Sequence, residues 1–248
     1  MRPRSNGEEW GVRTVVFLSL LALAFVGFCS LGAWQVQRLQ WKRELIERVD
    51  ARIHAPPVPI PPKADWPNVS APRDEYRRVA VEGRYLPAHD ARVQAVTERG
   101  PGWWLLTPLR TDAGEVVLVN RGFVPNDWRG DATPAGDRAR VIGLLRLSEP
   151  RGGFLRRNDP ARDRWYSRDV AAIARARGLG EVAPFFVDAE RDASGPEWPA
   201  GGMTVVRFRN QHLQYALTWF ALALLSLYGG WRVFSSGRRL RHHGGFRE

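Results

Sequence analysis

Residues 14–37 run for 24 positions without a formal charge, bounded by Arg13 and Arg38. As helix such a run is about 36 Å long, enough to cross a hydrocarbon core of about 30 Å. A second uncharged run, residues 210–231, lies between Arg209 and Arg232. Trp34 sits near the end of the first, and Tyr228 and Trp231 close the second, where amphipathic rings favour the headgroup layer. A cleaved signal peptide fits the first run poorly: its apolar region is long, no small-x-small site follows it, and Phe28 directly before Cys29 spoils a lipoprotein cleavage site. Both runs therefore read as retained transmembrane helices.

Two spans put both termini on one side and residues 38–209 on the other. Charge does not say which side is which. Arg2, Arg4 and Arg13 with the five arginines after residue 231 face Arg38, Lys42, Arg43, Arg48, Arg52, Arg191, Arg207 and Arg209, eight against eight.

The stretch between the spans changes character twice. Trp34, Arg38, Trp41 and Leu45 recur at helical spacing, so the first helix is expected to continue past the membrane and fade near Ile53. Seven prolines between Pro56 and Pro72 then predict an extended spacer with no packed core of its own. Short strands are expected over 76–83, 92–96, 103–109, 115–120 and 140–147, with turns at Gly100-Pro101-Gly102 and Asp112-Ala113-Gly114. A short helix over 170–177, a strand over 185–188 and a last strand over 203–208 complete the pattern. The fold class is that of an α+β membrane protein, with two transmembrane helices flanking a β-rich extramembrane domain with minor helix. Its parts are a terminus over 1–13, a helix over 14–37, a helical extension and Pro-rich spacer over 38–72, the β-rich domain over 73–209, a helix over 210–231 and a basic tail over 232–248.

Composition excludes several classes. The single cysteine, Cys29, rules out an intramolecular disulfide framework and any site built on several thiolates. Only Lys42 and Lys63 are lysines, and neither ends a glycine-rich loop, so no Walker-type phosphate cradle is present. The net charge of +11 is spread among acids rather than gathered in a stripe, which argues against nucleic acid as a partner. No His-Glu-x-x-His, Gly-x-Ser-x-Gly or dinucleotide fingerprint occurs, and no carboxylates pair for acid–base work, so the chain reads as a non-enzyme. His54, His89, His242 and His243 fall in loop-like or tail contexts and read as surface imidazoles.

His212 stands apart. It opens the second span two residues after Asn210, a good helix N-cap, at the positive end of a helix dipole. His212, Tyr215 and Trp219 fall at i, i+3 and i+7, so the imidazole heads an aromatic face of a membrane helix. Ionisable side chains in spans mark functional sites, and imidazole is a common metal ligand. The plainer reading is an interfacial His among belt aromatics.

The run Leu31-Gly32-Ala33-Trp34-Gln35-Val36-Gln37-Arg38, followed by Trp41-Lys42 and Leu45-Ile46, resembles the first-anchor signature of the surfeit locus 1 family of cytochrome c oxidase assembly proteins. Val119-Asn120-Arg121-Gly122-Phe123-Val124-Pro125 and His212-Leu213-Gln214-Tyr215-Ala216-Leu217-Thr218-Trp219-Phe220 resemble its middle and second-anchor motifs. Phe123 departs from the Trp common at that position, and the basic tail lies outside the pattern. The resemblance implies an inner-membrane protein with cytoplasmic termini and a periplasmic central domain. It also implies a role in maturing haem–copper oxidases, with transient binding of haem a and His212 as the leading iron-ligand candidate. The oxidase catalytic subunit and haem a synthase are the implied partners, with membrane lipid around the spans. The thirteen residues before the first span leave no room for a mitochondrial transit peptide, which favours a bacterial member. Beside His212, Trp34, Tyr215 and Trp219 are candidates for contact with the ring, and Arg38, Arg207 and Arg209 for its propionates. The competing expectation is a cofactor-free scaffold that stabilises the catalytic subunit.

Overall fold

The computed structural model describes residues 6–130, 138–150, 152–153, 155–193, 195–204 and 210–243, with the side chains of 6–10 and 237–243 excepted. The chain divides into two units, a helix pair (Met1–Glu47 with Arg207–Glu248) and a sheet domain (Arg48–Val206).

The helix pair is built from α1 (Asn6–His54) and α4 (His212–His243), numbered in chain order with the short helices of the sheet domain between them. Both are long and apolar enough to cross a membrane, over Gly11–His54 and His212–Ser236. The more protected positions of α1 recur at alternate spacings of four and three: Leu21, Phe25, Phe28, Gly32, Gln35 and Leu39. His212, Ala216, Trp219, Ala223, Ser226 and Gly230 do the same on α4. This is the repeat of two helices packed along a common seam. Gln35 meets His212, Phe28 meets Trp219 and Leu21 approaches Gly229, so numbers rise along one helix as they fall along the other. The pair is antiparallel. Small residues set the approach, as expected where lipid is as apolar as leucine. At Gly32 an added Cβ would lie 2.6 Å from the Phe220 ring.

The expected face Trp34, Arg38, Trp41 differs from this seam. Trp34 and Trp41 are 54% and 44% exposed, and the Arg38 guanidinium lies over the Trp41 ring, 3.9 Å from its centroid. That stripe forms an outward aromatic–cationic band one residue round the helix from Gln35.

The sheet domain contains β1 (Val58–Pro59), α2 (Ala71–Asp74), β2 (Arg78–Tyr85), β3 (Ala91–Thr97), β4 (Gly100–Thr111), β5 (Val116–Pro125), β6 (Arg138–Leu147), α3 (Val170–Arg177) and β7 (Val182–Ala189). The strand order is β1-β2-β6-β7-β5-β4-β3, and β2 also pairs with β4. That last pairing closes β2, β6, β7, β5 and β4 into a five-stranded barrel. Among the described strand pairs, β1–β2 and β5–β7 are parallel and the others antiparallel. Alternation along each strand sends Val79, Val81, Tyr85, Leu109, Val117, Val119, Val141, Leu145, Phe185 and Val187 into one core. A second core on the opposite face joins Ala91, Val93, Leu106, Leu118 and Phe186 to Trp165 and to Val170 and Ile173 of α3. Burying each large apolar side chain contributes roughly 1.5–3 kcal/mol. α3 is held at both ends: the Asp169 carboxylate accepts from the Ala172 N–H at 3.1 Å, and Gly178 takes the left-handed conformation at φ 64°.

Three local expectations change in the structure. The Pro-rich stretch is not a free spacer, because Trp66 within it is 7% exposed and belongs to the barrel core, with its indole N–H donating to the Pro61 carbonyl at 3.1 Å. Gly100-Pro101-Gly102 is not the turn: Glu98 and Arg99 make it, Gly100 completes it at φ 95°, and Pro101 and Gly102 already pair with β3. β5 runs five residues beyond Asn120, since Gly122 at φ 128° and a register shift between Leu105 and Leu106 let the strand continue past what reads locally as a turn. Most of the strand expected over 203–208 lies outside the described residues.

Candidate functional site

α4 opens one residue later than an Asn210 cap would place it. The Tyr215 N–H bonds to the Gln211 carbonyl at 3.3 Å, and the buried Asn210 Oδ1 has no partner among the described residues. His212 thus stands in the first turn, half-buried, with its ring toward α1. Its Nδ1 lies 2.8 Å from Oε1 of Gln35, a side chain only 8% exposed. An amide oxygen can only accept, so Nδ1 is the donor in this contact, and in the neutral imidazole the lone pair then lies on Nε2. Two turns along, the Trp219 ring stacks on Phe28 at 5.7 Å between centroids and 25° between planes.

The structure therefore brings His212 and Trp219 onto the seam and leaves Tyr215 and Trp34 outside it, at 53% and 54% exposed. Arg38 is exposed on the same outward band as Trp34. Arg207 and Arg209 lie outside the described residues. Among the described residues no group of three or more His, Cys, Asp or Glu could hold a metal. A lone imidazole of this kind could hold only a metal that brings most of its other ligands with it. An apolar cavity of about 380 Å³ lies elsewhere in the helix pair, between Leu18, Leu21, Phe25, Gly230, Trp231 and Phe234.

The sheet domain has its own polar concentration. Arg121 of β5 lies over the Tyr85 ring, 4.8 Å from its centroid. Both line a cavity of about 400 Å³ whose other walls include Arg140, Glu190 and Glu197. Burial drives the Arg121 guanidinium below its ordinary value, against the opposing pull of Tyr85 and Asp90. Burial also drives Asp90 up to about 6, although Thr107, Arg121, Arg92 and Arg177 pull it down. The fold thus binds the Asp90 proton more tightly than the unfolded chain does. Its contribution is full below about pH 4 and is lost as pH rises through about 6, a swing of roughly 3 kcal/mol at most. Asp90→Asn is expected to match the wild type near pH 4 and to unfold at a higher temperature than it at pH 8, read by thermal unfolding of the detergent-solubilised protein at both pH values.

Across the barrel wall, the Asp188 carboxylate accepts from Asn120 Nδ2 at 2.8 Å, from Thr204 Oγ1 at 2.9 Å and from the guanidinium groups of Arg168 and Arg146 at 3.1 and 3.3 Å. Arg168 and Arg146 also engage Glu149. Burial would raise the Glu149 carboxyl, but the hydrogen bonds and charge of Arg168, with the charge of Arg146, outweigh it and hold that group below its ordinary value.

The family model described as the SURF1 family matches residues 22–224. The chain belongs to the SURF1 family. It is 36% identical to surfeit locus protein 1 of Homo sapiens over 241 residues, covering 88% of this chain and 77% of that protein. It is likewise 36% identical to surfeit locus protein 1 of Rattus norvegicus over 228 residues, covering 83% and 71%. The SURF1-like protein of Caenorhabditis briggsae is 32% identical over 249 residues, covering 90% and 76%. The SURF1 match takes in Gln35, Arg121 and His212 together and ends before the basic tail.

Sequence reasoning assigned no role to Gln35, Asp90 or Asp188. For Gln35 a signal was present: it is polar, yet it falls seven residues after Phe28 and three after Gly32, in phase with the protected face. Asp90 and Asp188 draw most of their partners from separate elements of the sheet domain, and no spacing rule connects them.

Proposed function

We propose that this SURF1-family chain assists assembly of a haem–copper cytochrome c oxidase by holding haem a through His212 and yielding it to the oxidase catalytic subunit. The observation that carries the reading is the His212 imidazole at the head of α4 with its Nδ1 engaged by Gln35, an arrangement that would leave Nε2 to coordinate. Haem a has an apolar macrocycle and an isoprenoid tail, so two membrane helices suit it better than water does. Held through the single ligand His212, such a haem would keep one iron position for exchange, which a transfer protein needs. In this reading Trp219 on the seam, with Trp34 and Tyr215 on the outward faces of the two helices, would give aromatic surface to the ring, and Arg38 would give a cation for a propionate. In this reading the helices lie in the cell inner membrane, both termini are cytoplasmic and the barrel domain is periplasmic. Haem a synthase is the source of the cargo, and the chain itself performs no chemistry on it.

The test is complementation of a bacterium that makes haem a but lacks its own family member. The wild-type chain is expected to restore oxidase activity and to co-purify with haem a, whereas His212→Ala is expected to lose at least nine-tenths of that haem and to restore oxidase poorly. Full rescue by His212→Ala without bound haem would favour the cofactor-free scaffold.

A further inference from the structure

We infer that Gln35 is the positioning residue of the site: by accepting a hydrogen bond from the Nδ1–H of His212 it fixes the imidazole tautomer and makes Nε2 the metal-binding nitrogen. The inference rests on the reading of His212 as the iron ligand. Three features of the helix pair carry it. Gln35 is buried in the seam of two apolar helices, where an amide without a partner would be costly, and the described partner of its Oε1 is His212 Nδ1 at 2.8 Å. The contact joins α1 to α4 across 177 residues of sequence, so it orients the ring relative to the partner helix and not only within its own turn. The seam that holds it is braced two turns away by Phe28 on Trp219 and between them by Gly32 against Phe220. A metal-binding imidazole commonly gives its other N–H to an acceptor of this kind. Loss of such an acceptor typically weakens binding about 10–100-fold. Gln35 touches no iron in this scheme and acts through His212.

The test uses the full-length protein in detergent, free of haem, with ¹⁵N-labelled histidine. The wild type is expected to show His212 as a single tautomer protonated at Nδ1. Gln35→Leu, which keeps an apolar side chain in the seam, is expected to give mixed tautomers or the Nε2-protonated form and to bind added ferric haem a about 10–100-fold more weakly. Gln35→Glu restores an acceptor, so it is expected to keep the wild-type tautomer and most of the affinity. By giving the ring more imidazolate character it is also expected to lower the reduction potential of the bound haem. An Nε2-protonated His212 in the wild type, or unchanged tautomer and affinity in Gln35→Leu, overturns the inference. So does equal weakness of the Leu and Glu variants, which would make Gln35 a packing residue. His212→Ala is titrated in parallel. If it binds haem a as the wild type does, the ligand reading itself fails; if it does not bind and Gln35→Leu behaves as wild type, only the role of Gln35 fails.

Discussion

Asp188→Ala is expected to destabilise the sheet domain by about 3–5 kcal/mol, the usual consequence of removing one partner from a buried ion pair. The side chain is 3% exposed and receives hydrogen bonds from four residues, Asn120, Arg146, Arg168 and Thr204. Truncation leaves two guanidinium groups, each 14% exposed, which keep Glu149 between them and, for Arg146, Glu75 at 3.4 Å. The energy at stake is therefore mainly that of four donors losing their common buried acceptor at once, not the strength of any one bond. For a domain of this size the expected fall in Tm is about 10 °C or more, measured by thermal unfolding of the purified protein in detergent. Arg138→Ala is the comparison. Its pair with Asp112 is 60% and 61% exposed, and a shift of less than about 1 kcal/mol is expected there. Equal effects of the two substitutions would contradict the assignment of Asp188 as the centre of a buried network. Glu149 adds a pH dependence of opposite sign to that of Asp90. Its carboxyl is held below the ordinary value, so its contribution is present at neutral pH and is lost as pH falls through that lowered range.

Gly122→Ala is expected to be the most damaging methyl-sized change in the barrel. Gly122 has φ 128°, a conformation that residues with a Cβ rarely adopt, and an added Cβ would lie 2.2 Å from the backbone carbonyl of Ala200. The obstacle is main chain and cannot rotate away. Ala200 is held there by two bonds to Phe123, N–H to O at 2.8 Å and O from N–H at 3.0 Å, and the Gly122 N–H donates to Asn120 Oδ1 at 3.2 Å. Backbone strain of about 1–3 kcal/mol adds to the displacement of that bridge, so a total above about 4 kcal/mol and poor accumulation in the membrane are expected. Gly114→Ala separates the two causes. Gly114 also has positive φ, at 84°, but a Cβ there would meet nothing within 4 Å. It is expected to cost only about 1 kcal/mol. Comparable losses at the two glycines would show that the close approach at Ala200 carries no weight.

These two positions also show where sequence reading stops. The membrane helices and most strands follow from local signals, because a 24-residue uncharged run and a two-residue alternation each record the surroundings of their own segment. The short helix Val170–Arg177 was legible for the same reason, with Asp169 before it and Gly178 after it. Barrel closure was not, since the pairing of Gly83, Arg84 and Tyr85 with Thr111, Arg110 and Leu109 leaves no mark on either strand alone. Trp66 in a proline-rich stretch looks like part of a linker until the barrel core it fills is known. At the helix pair, His212 announced itself as an ionisable residue in an apolar span, but the face of α1 that meets it did not. Trp34, Arg38 and Trp41 make the more conspicuous stripe, and it is the quieter one, through Phe28, Gly32 and Gln35, that faces α4. In a bilayer large aromatics serve equally well outside a helix pair, so size and apolarity do not mark the seam there; small residues and a lone amide do.

The central claim is that the His212 imidazole is the protein's bond to haem iron. Electron–nuclear double resonance on ferric haem a bound to the purified protein, made with ¹⁵N-labelled histidine, tests it most directly. One strongly coupled axial ¹⁵N nucleus is predicted for the wild type, and its disappearance in His212→Ala. A bound haem with no histidine nitrogen on its iron, or with the same coupling after that substitution, would contradict the account.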